Sequence, residues 1–357
     1  MNLKQLSQKI GLSQTTISRA LNGYPEVSET TRERVAEAAA RYGYRPNMRA
    51  KSLATGRSMA IGHVIPVTSQ HEMVNPVFAD FMAGASETYA KHGYDMHLSV
   101  TRDRDEERAY REMKAKGAVD GIIVQAPRKG DGRINLLNEI GLPFVVHGRA
   151  SGSDEASYSW IDINNRRAFE RATGFLLDLG HRRIALINGL EDMDFAARRR
   201  AGFTQALAAR GLTVDPDLMH SDEMTEIIGH DAARRMLGAP NPPTAFLVSS
   251  IISAIGVRRA IDEAGLRMGR DVSLVTHDDD LSYLKNGDQE AIYTATRSSV
   301  YEAGRLAAHL LLHQIARPCD GPQHRLLEAE LMLGQSTGPA PSDVLARTAV
   351  AGRAGRV

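Results

Sequence analysis

A short polar stretch near the N-terminus carries side chains able to read the edges of DNA bases. At helical spacing, its outward-facing set is Gln14, Thr15, Ser18, Arg19 and Asn22. Gln and Arg bind adenine and guanine edges through paired hydrogen bonds. By spacing alone, a helical hairpin with a solvated polar face explains the same pattern. The elements that would position these residues therefore have to decide between the two interpretations.

Two short helices joined by a tight turn would present this polar set. The apolar spacing predicts a helix over 4–10, a break at Gly11, and a second helix that starts after Ser13 as its N-cap. The residues placed to hold the two helices together are Leu6, Ile17 and Leu21. This is the arrangement of a helix-turn-helix, whose second helix enters the major groove by its N-terminal end.

The charge of the chain is distributed unevenly. Residues 1–57 carry ten Lys and Arg against four Glu, a net charge of +6 in a chain whose total is +1. A third helix, capped by Ser28 and closed by Gly43, completes this segment. A solvated basic face would give the same charge. Together with the predicted helix-turn-helix, however, a basic module on an acidic body favours nucleic-acid binding.

From residue 59 onwards, short apolar runs alternate with amphipathic helical stretches. Strands are predicted at 60–67, 95–100, 121–125, 144–147, 184–188, 245–248, 272–276 and 292–295. Helices are predicted between them, for example at 78–92, 165–179, 197–209 and 255–264. Repeated β-α units favour parallel sheets covered by helices on both faces. The length favours two lobes, near 59–160 and 161–290, followed by a return crossing.

Composition and motifs disfavour several other classes of protein. With 357 residues, 42% hydrophobic and 24% charged, the chain is typical of a globular protein of two or three domains. It has no apolar run long enough for a membrane span and no apolar secretory segment, so we expect a cytoplasmic protein without a membrane partner. The single Cys319 excludes an intrachain disulfide and a cysteine metal cluster. The run Asp278-Asp279-Asp280 lacks further carboxylates to complete a metal site, so we expect no metal and no cofactor.

The N-terminal residues resemble the LacI/GalR family of transcriptional regulators. The matching motifs are LSQTTISRALN at 12–22, PEVS at 25–28 and AARYGYRPN at 39–47. The resemblance implies that Gln14 and Thr15 read bases, with Arg19 close behind. It implies phosphate contacts for Ser13, Ser18, Asn22, Tyr44 and Asn47. Ala50 and Leu53 fall where this family has its hinge helix, and Leu53 would be the wedge that enters the minor groove.

The resemblance continues to about residue 337, through the motifs LGHRRIA at 179–185, RRAGF at 199–203 and DVSLV at 271–275. Sensor domains of this family resemble periplasmic sugar-binding proteins, with two lobes and an effector in the cleft between them. The implied architecture is an all-α helix-turn-helix domain at 1–46, then a hinge helix and linker at 47–58. A two-lobed α/β domain for effector binding and dimerisation follows at 59–337, and a disordered tail at 338–357.

The same resemblance implies a set of effector contacts in the cleft. They are Phe78, His147, Arg149, Trp160, Arg199, Met224, Ser250 and Asp278. Arg199 and Asp278 would face each other, and ionic side chains form strong hydrogen bonds with sugar hydroxyls. Phe78 and Trp160 are candidates to stack on a sugar ring, although a core position explains Trp160 equally well. Ser250-Ile251 stands where the family often has Asn-Asp, which puts the ligand contact from that position in doubt.

The function expected from these features is sequence-specific regulation of transcription. A homodimer would bind a pseudo-palindromic operator, repress a carbohydrate operon, and be released by a sugar effector. Residues 1–28 and 143–149 are similar to repressors of α-glucoside operons, which favours sucrose, maltose or trehalose. Another sugar or small molecule, a sugar phosphate, or co-repression are the alternatives. An enzyme is disfavoured because phosphate-loop, nucleophile-elbow and His-Glu-x-x-His motifs are missing, and a transport-type binding protein because a signal peptide is missing.

Overall fold

The polypeptide is organised as two units, Met1–Met59 and Ala60–Val357. The computed structural model describes residues 1–21, 24–44, 56–66, 75–102 and 105–341. Four predicted DNA contacts lie outside these ranges: Asn22, Asn47, Ala50 and Leu53. Most of the predicted tail, from residue 342 onwards, also lies outside them.

The first unit contains three helices, α1 (Leu3–Ile10), α2 (Gln14–Leu21) and α3 (Glu29–Arg41). Gly11 ends α1 with a left-handed φ of 68°, a conformation that glycine adopts without a Cβ clash. The Ser13 hydroxyl accepts the backbone N–H of Thr16 at 3.0 Å and so caps α2. Ser28 caps α3 in the same way through Thr31. The predicted turn and both predicted caps are confirmed.

A small apolar core holds these helices together. Its buried members are Leu6, Ile17, Ala20, Val27, Val35 and Ala39. Leu6 and Ile17 are fully buried, and Leu21 lies partly buried at the rim, as their spacing predicts. With so few buried side chains, this unit relies on its caps and helix contacts as well as on apolar burial.

The second unit alternates strands and helices along the chain. In order, its elements are β1 (Ala60–Pro66), α4 (Pro76–Lys91), β2 (Asp95–Thr101), α5 (Glu106–Ala115), β3 (Gly121–Gln125), α6 (Gly132–Glu139), β4 (Phe144–His147), β5 (Ser159–Ile163), α7 (Asn165–Asp178), β6 (Ile184–Asn188), α8 (Asp194–Ala208), β7 (Met219–Ser221), α9 (Glu226–Leu237), β8 (Ala245–Val248), α10 (Ile251–Glu263), β9 (Ser273–Asp278), β10 (Thr294–Arg297), α11 (Val300–Ala316), β11 (His324–Leu327) and β12 (Glu330–Met332).

These strands form two six-stranded sheets within the described residues, one in each lobe. The first lobe has the order β11-β5-β4-β3-β1-β2, with α4 and α11 on one face and α5 and α6 on the other. The second lobe has the order β12-β10-β9-β8-β6-β7, with α7 and α8 on one face and α9 and α10 on the other. All pairings are parallel except that of β12 with β10. The predicted two-lobed α/β architecture with parallel sheets is confirmed.

The connections between the lobes include the predicted crossing at the end of the first lobe and the predicted return crossing, and one further crossing that was not predicted. The chain crosses after β5, again after β10, and a third time between β11 and β12. Helix α11, which the sequence reading missed, returns to the first lobe and packs on α4. The two helices approach so closely there that a Cβ on Gly84 would lie 2.0 Å from the Tyr301 carbonyl oxygen. Glycine is therefore required where the two helices cross.

The packed part of the second lobe extends past the predicted domain boundary at residue 337. Gly338 donates its N–H to the Ser273 hydroxyl, and its carbonyl accepts from His181. The Ala340 N–H bonds the Leu179 carbonyl at 2.8 Å. Residues 338 and 340 thus belong to the folded lobe rather than to a disordered tail. None of the described helices is long and apolar enough to cross a membrane.

Candidate DNA interface and effector cleft

The outward face of α2 presents the residues predicted to read DNA. Gln14, Thr15 and Arg19 are exposed, whereas Ile17 beneath them is fully buried. Thr15 and Arg19 also line a polar depression that includes Ser13 on the same side and reaches the start of α3. The side chains nearest the N-terminal end of α2 are therefore accessible to a groove, as base readout requires.

Two predicted phosphate contacts are less exposed. Ser18 is half-buried. Tyr44 packs against the small core of the first unit, and its backbone N–H bonds the Ala39 carbonyl at 2.9 Å. Burial raises the pKa of Tyr44, so its hydroxyl stays protonated at neutral pH. Because the Tyr44 ring packs against this core, it helps to fix the end of α3.

Between the lobes, the carboxyl ends of several parallel strands meet at one edge. β4 ends at His147, β8 is followed by Ser249 and Ser250, and β9 ends at Asp278. In open α/β sheets this edge is where ligands bind. The cleft between the two lobes is thus the candidate effector site.

Arg199, on α8, is the central residue that the second lobe contributes to this cleft. It is only 5% exposed, donates from Nε to Asn165 at 2.8 Å, and donates from Nη1 to the Ser249 carbonyl at 2.6 Å. Its guanidinium lies 5.0 Å from the ring centres of both Phe169 and Phe195. Burial lowers its pKa to about 10, so it remains charged at neutral pH. Within the described chain its Nη2 group has no bonded partner, which leaves these donors for a ligand.

The carboxylates whose charges act on Arg199 are Asp279 and Asp162, and the predicted Asp278 is not among them. Burial alone would raise the pKa of Asp279, but its contact with His277 at 3.4 Å and the charge of Arg199 outweigh it, and the pKa lies below its usual value. Asp278 instead accepts the backbone N–H of Asp280 at 2.9 Å, and burial raises its pKa. Among the described interactions, no hydrogen bond or ion pair joins Arg199 to Asp278.

The first lobe contributes aromatic and neutral groups to the cleft. His147 stacks on Phe81 of α4, with ring centres 4.4 Å apart, and Phe78 lies one turn earlier on the same helix. Burial lowers the pKa of His147 to about 4, against an opposing effect of Asp279. The imidazole is therefore neutral at pH 7. Its ring nitrogens bond no other atom in the described part of the chain.

Arg149 and Trp160 belong to a supporting layer behind this cleft. Arg149 bonds Asp162 at 2.8 Å, and its guanidinium lies 5.1 Å from the centre of the Trp160 ring. Trp160 is 8% exposed, stacks on His324, and donates its indole N–H to the Glu155 carbonyl at 3.1 Å. The core interpretation of Trp160 therefore fits its position better than stacking on a sugar.

The two remaining predicted contacts lie in the second lobe. Ser250 is buried and caps α10 through the N–H of Ile252, so its hydroxyl has a structural partner. Met224 lies beside Gly189, where an added Cβ would be 3.4 Å from the Met224 sulfur and 3.0 Å from Phe195. Met224 thus lies near the ring that covers Arg199.

Three groups at this edge were missed by sequence reasoning. Asp279 lies one residue from the predicted carboxylate, and Asn165 orients Arg199. Gln125, at the end of β3, pairs in register with His147 and has a buried amide nitrogen with no partner in the described chain. A signal existed for Gln125, which ends a predicted apolar strand, and for Asn165, which begins a predicted helix.

Comparisons with known proteins agree with both the N-terminal helical unit and the two-lobed domain. Residues 2–47 match the model of bacterial regulatory proteins of the lacI family, and residues 173–337 match that of the periplasmic binding protein-like domain. The HTH-type transcriptional regulator AglR of Rhizobium meliloti (strain 1021) is 45% identical over 96% of this chain and 95% of its own length. The chain belongs to the LacI family.

Other members of the LacI family are similar over comparable lengths. The HTH-type transcriptional regulator RafR of Escherichia coli is 33% identical over 84% of this chain and 88% of its own. The solved structure of a transcriptional regulator CelR-cellobiose complex is 29% identical, with a TM-score of 0.70 over 94% of this chain and 99% of that chain. A Lac repressor dimer bound to operator, at 24% identity, shares the fold with a TM-score of 0.78 over 95% of this chain and 99% of that chain.

Membership of the LacI family confirms that the chain is a DNA-binding regulator of transcription and not an enzyme. The predicted fold class is confirmed by the same comparisons. The roles of the individual site residues remain predictions, since the comparisons name no residues.

Proposed function

We propose that this LacI-family regulator represses a carbohydrate operon and is released from its operator by an uncharged sugar, an α-glucoside, bound between the lobes. The observation that carries the proposal is the composition of the cleft edge. Arg199 offers ionic donors, Asp279 offers an ionic acceptor, and His147 is neutral on an aromatic support. Such a mixture suits hydroxyl groups, because each hydroxyl both donates and accepts.

A phosphorylated sugar fits this cleft poorly. Its phosphate would carry nearly two negative charges at neutral pH. Of the two arginines predicted to contact the effector, Arg199 lies near the opposite charges of Asp279 and Asp162, and Arg149 is occupied by Asp162. The relative solved with cellobiose shows that a close sensor domain holds a neutral disaccharide. The preference for an α-linkage rests on the similarity of residues 1–28 and 143–149 noted above.

On the DNA side, we propose that two copies bind a pseudo-palindromic operator in the cytoplasm. Gln14, Thr15 and Arg19 would read bases, supported by their exposure on α2. Ser13 and Ser18 would contact phosphates. Ala50 and Leu53 would also contact the operator, with Leu53 in the minor groove.

Calorimetry with a small sugar panel tests the effector class. Maltose, sucrose, trehalose and cellobiose would be titrated beside glucose 6-phosphate and trehalose 6-phosphate. We expect heat from at least one α-glucoside and none from the phosphates. Tighter binding of a phosphorylated sugar, or binding of none of the neutral ones, would overturn the proposal. Binding that strengthens operator retention would instead establish co-repression.

A further inference from the structure

A chain of charged side chains links the two lobes beside the cleft. Arg198, on α8 of the second lobe, donates to Glu155 of the first lobe at 2.7 Å and to the Ser151 hydroxyl at 3.3 Å. Asp194, one helical turn earlier, holds Arg198 on its own helix. Arg198 is therefore anchored in one lobe and bonded to the other.

From Glu155 the contacts continue back to the effector contact. Glu155 pairs with Arg149 at 3.4 Å, and Arg149 bonds Asp162 at 2.8 Å. Asp162 accepts from Asn165 at 3.3 Å, and Asn165 in turn accepts from Arg199 at 2.8 Å. The sequence neighbours Arg198 and Arg199 are thus the two ends of one network that passes through both lobes.

Backbone contacts close the same side of the cleft around this network. The Ser151 N–H bonds the Asp194 carboxylate at 2.9 Å, and the Asp194 N–H bonds the Pro127 carbonyl at 3.0 Å. On the opposite side, Ser282 of the second lobe donates its hydroxyl to Asp80 of the first at 2.7 Å. Opening the lobes has to break the bond between Arg198 and Glu155 together with these contacts.

We propose that Glu155 is a positioning residue, which couples closure of the lobes to the placement of Arg199. The proposal rests on the proposed function only in taking Arg199 as an effector contact. In the closed arrangement Glu155 shares its carboxylate between Arg198 and Arg149. When the lobes separate, Arg198 keeps Asp194 and Arg149 keeps Asp162, so among these ion pairs Arg198–Glu155 is the one that is lost. Because the Glu155 side chain is 36% exposed, salt screens this bond.

We call the Arg198–Glu155 pair the latch. The chain carries its own fluorescent reporter for it. Trp160 is the only tryptophan, bonds the Glu155 carbonyl, and lies under Arg149. Arg198 has no contact with Trp160 among the described interactions. A change at Arg198 therefore reaches the indole through the contacts that Arg198 makes with the first lobe, at Glu155 and Ser151.

The first test needs no ligand. Arg198→Met is compared with Arg200→Met, which removes a neighbouring ion pair with Glu191 inside the second lobe. We expect Arg198→Met to shift the Trp160 emission maximum in low salt, and Arg200→Met to leave it as in the wild type. High salt should move the wild-type spectrum towards that of Arg198→Met. A wild-type spectrum for Arg198→Met, or equal shifts in both variants, would overturn the latch.

The second test measures sugar affinity against salt. Maltose, sucrose and trehalose are titrated into the wild type, Glu155→Gln and Glu139→Gln, whose ion pair with Arg111 lies within the first lobe. We expect Glu155→Gln to bind the responding sugar about 3–5-fold more weakly in low salt, and to lose most of the salt dependence of the wild type. Glu139→Gln should behave as the wild type.

The two outcomes separate this proposal from the proposed function. Wild-type affinity and salt dependence in Glu155→Gln would show that the pair does not couple closure to binding. If none of the three sugars binds the wild type, the proposed effector class fails, and the fluorescence comparison alone decides on the latch.

Discussion

The side chains assigned to DNA and those assigned to the effector are held in opposite ways. Gln14, Thr15 and Arg19 are exposed on a helix that is fixed by a cap and a few apolar contacts. Arg199 is buried and bonds Asn165 and the Ser249 carbonyl, and Asp279 contacts the buried His277 at 3.4 Å. The DNA readers should therefore affect affinity alone, whereas the cleft residues should affect both affinity and stability.

Removing the first unit gives the largest expected effect. A chain lacking residues 1–57 should lose specific operator binding by at least about 10³-fold, because specific complexes exceed non-specific ones by that margin. Its sugar affinity and unfolding should stay as in the full chain, since the remaining unit has its own cores. Electrophoretic retardation measures operator binding, and calorimetry measures sugar affinity and unfolding. Specific operator binding by the truncated chain would show that DNA recognition does not depend on the first unit.

Arg199→Met tests the cleft half of the comparison. It should lower the free energy of unfolding by about 2–4 kcal/mol, since it leaves the Asn165 amide oxygen and the Ser249 carbonyl without their buried charged donor. Sugar affinity should fall by about 10–100-fold with one charged hydrogen bond lost. Urea unfolding and calorimetry measure the effects, with the half-exposed Arg200→Met as control. Unchanged stability would show that Arg199 is not the centre of a buried network.

Arg19→Ala and Gln14→Ala test the DNA half. Each should cost about 1–3 kcal/mol of specific operator binding. Their unfolding free energies should stay within about 0.5 kcal/mol of the wild type, as expected for exposed positions. Lys4→Ala, exposed on α1, serves as the control. Equal losses on operator and random DNA would assign Arg19 or Gln14 to the phosphates instead.

Local features of this fold could be read from the sequence. The caps at Ser13 and Ser28, the glycine that ends α1, and most strand positions follow from propensity and apolar spacing. Non-local features could not. Whether α11 packs on the first or the second lobe depends on contacts that its own periodicity does not encode, and the third crossing, between β11 and β12, was not predicted.

The carboxylate near Arg199 shows most clearly what could not be predicted from the sequence. β9 runs to Asp278, two residues beyond the predicted end at 276. Neighbouring residues on a strand face opposite ways, so a shift of one position exchanges the inward side chain. Three consecutive aspartates gave no compositional reason to prefer Asp279, and its neighbours His277 and Arg199 identify it.

Acid should affect the second unit through its buried histidines. Burial lowers the pKa values of His63 and His147 to about 4, below the usual 6.5. Between these pH values the unfolded chain binds more protons than the folded chain, so stability is lost as the pH falls from 6.5 to 4. Each histidine should contribute up to about 1.4 kcal/mol per pH unit.

His63→Gln should reduce that slope, because glutamine does not titrate and can keep a hydrogen bond to the Tyr89 hydroxyl. Urea unfolding from pH 7 to 4.5 measures it on the chain lacking residues 1–57. The exposed His97 provides the control variant, His97→Gln, which should leave the slope unchanged. Identical slopes in all three proteins would place the acid sensitivity elsewhere.

The most direct test of the account follows labelled operator DNA by fluorescence anisotropy while maltose, sucrose or trehalose is added. The wild type should release the operator with at least one of these sugars. Asp279→Asn should bind the operator equally well without sugar, yet stay bound at the sugar concentration that releases the wild type, because the carboxylate that accepts sugar hydroxyls is gone. Release of Asp279→Asn at the wild-type concentration, or retention of the wild type with all three sugars, would contradict the account.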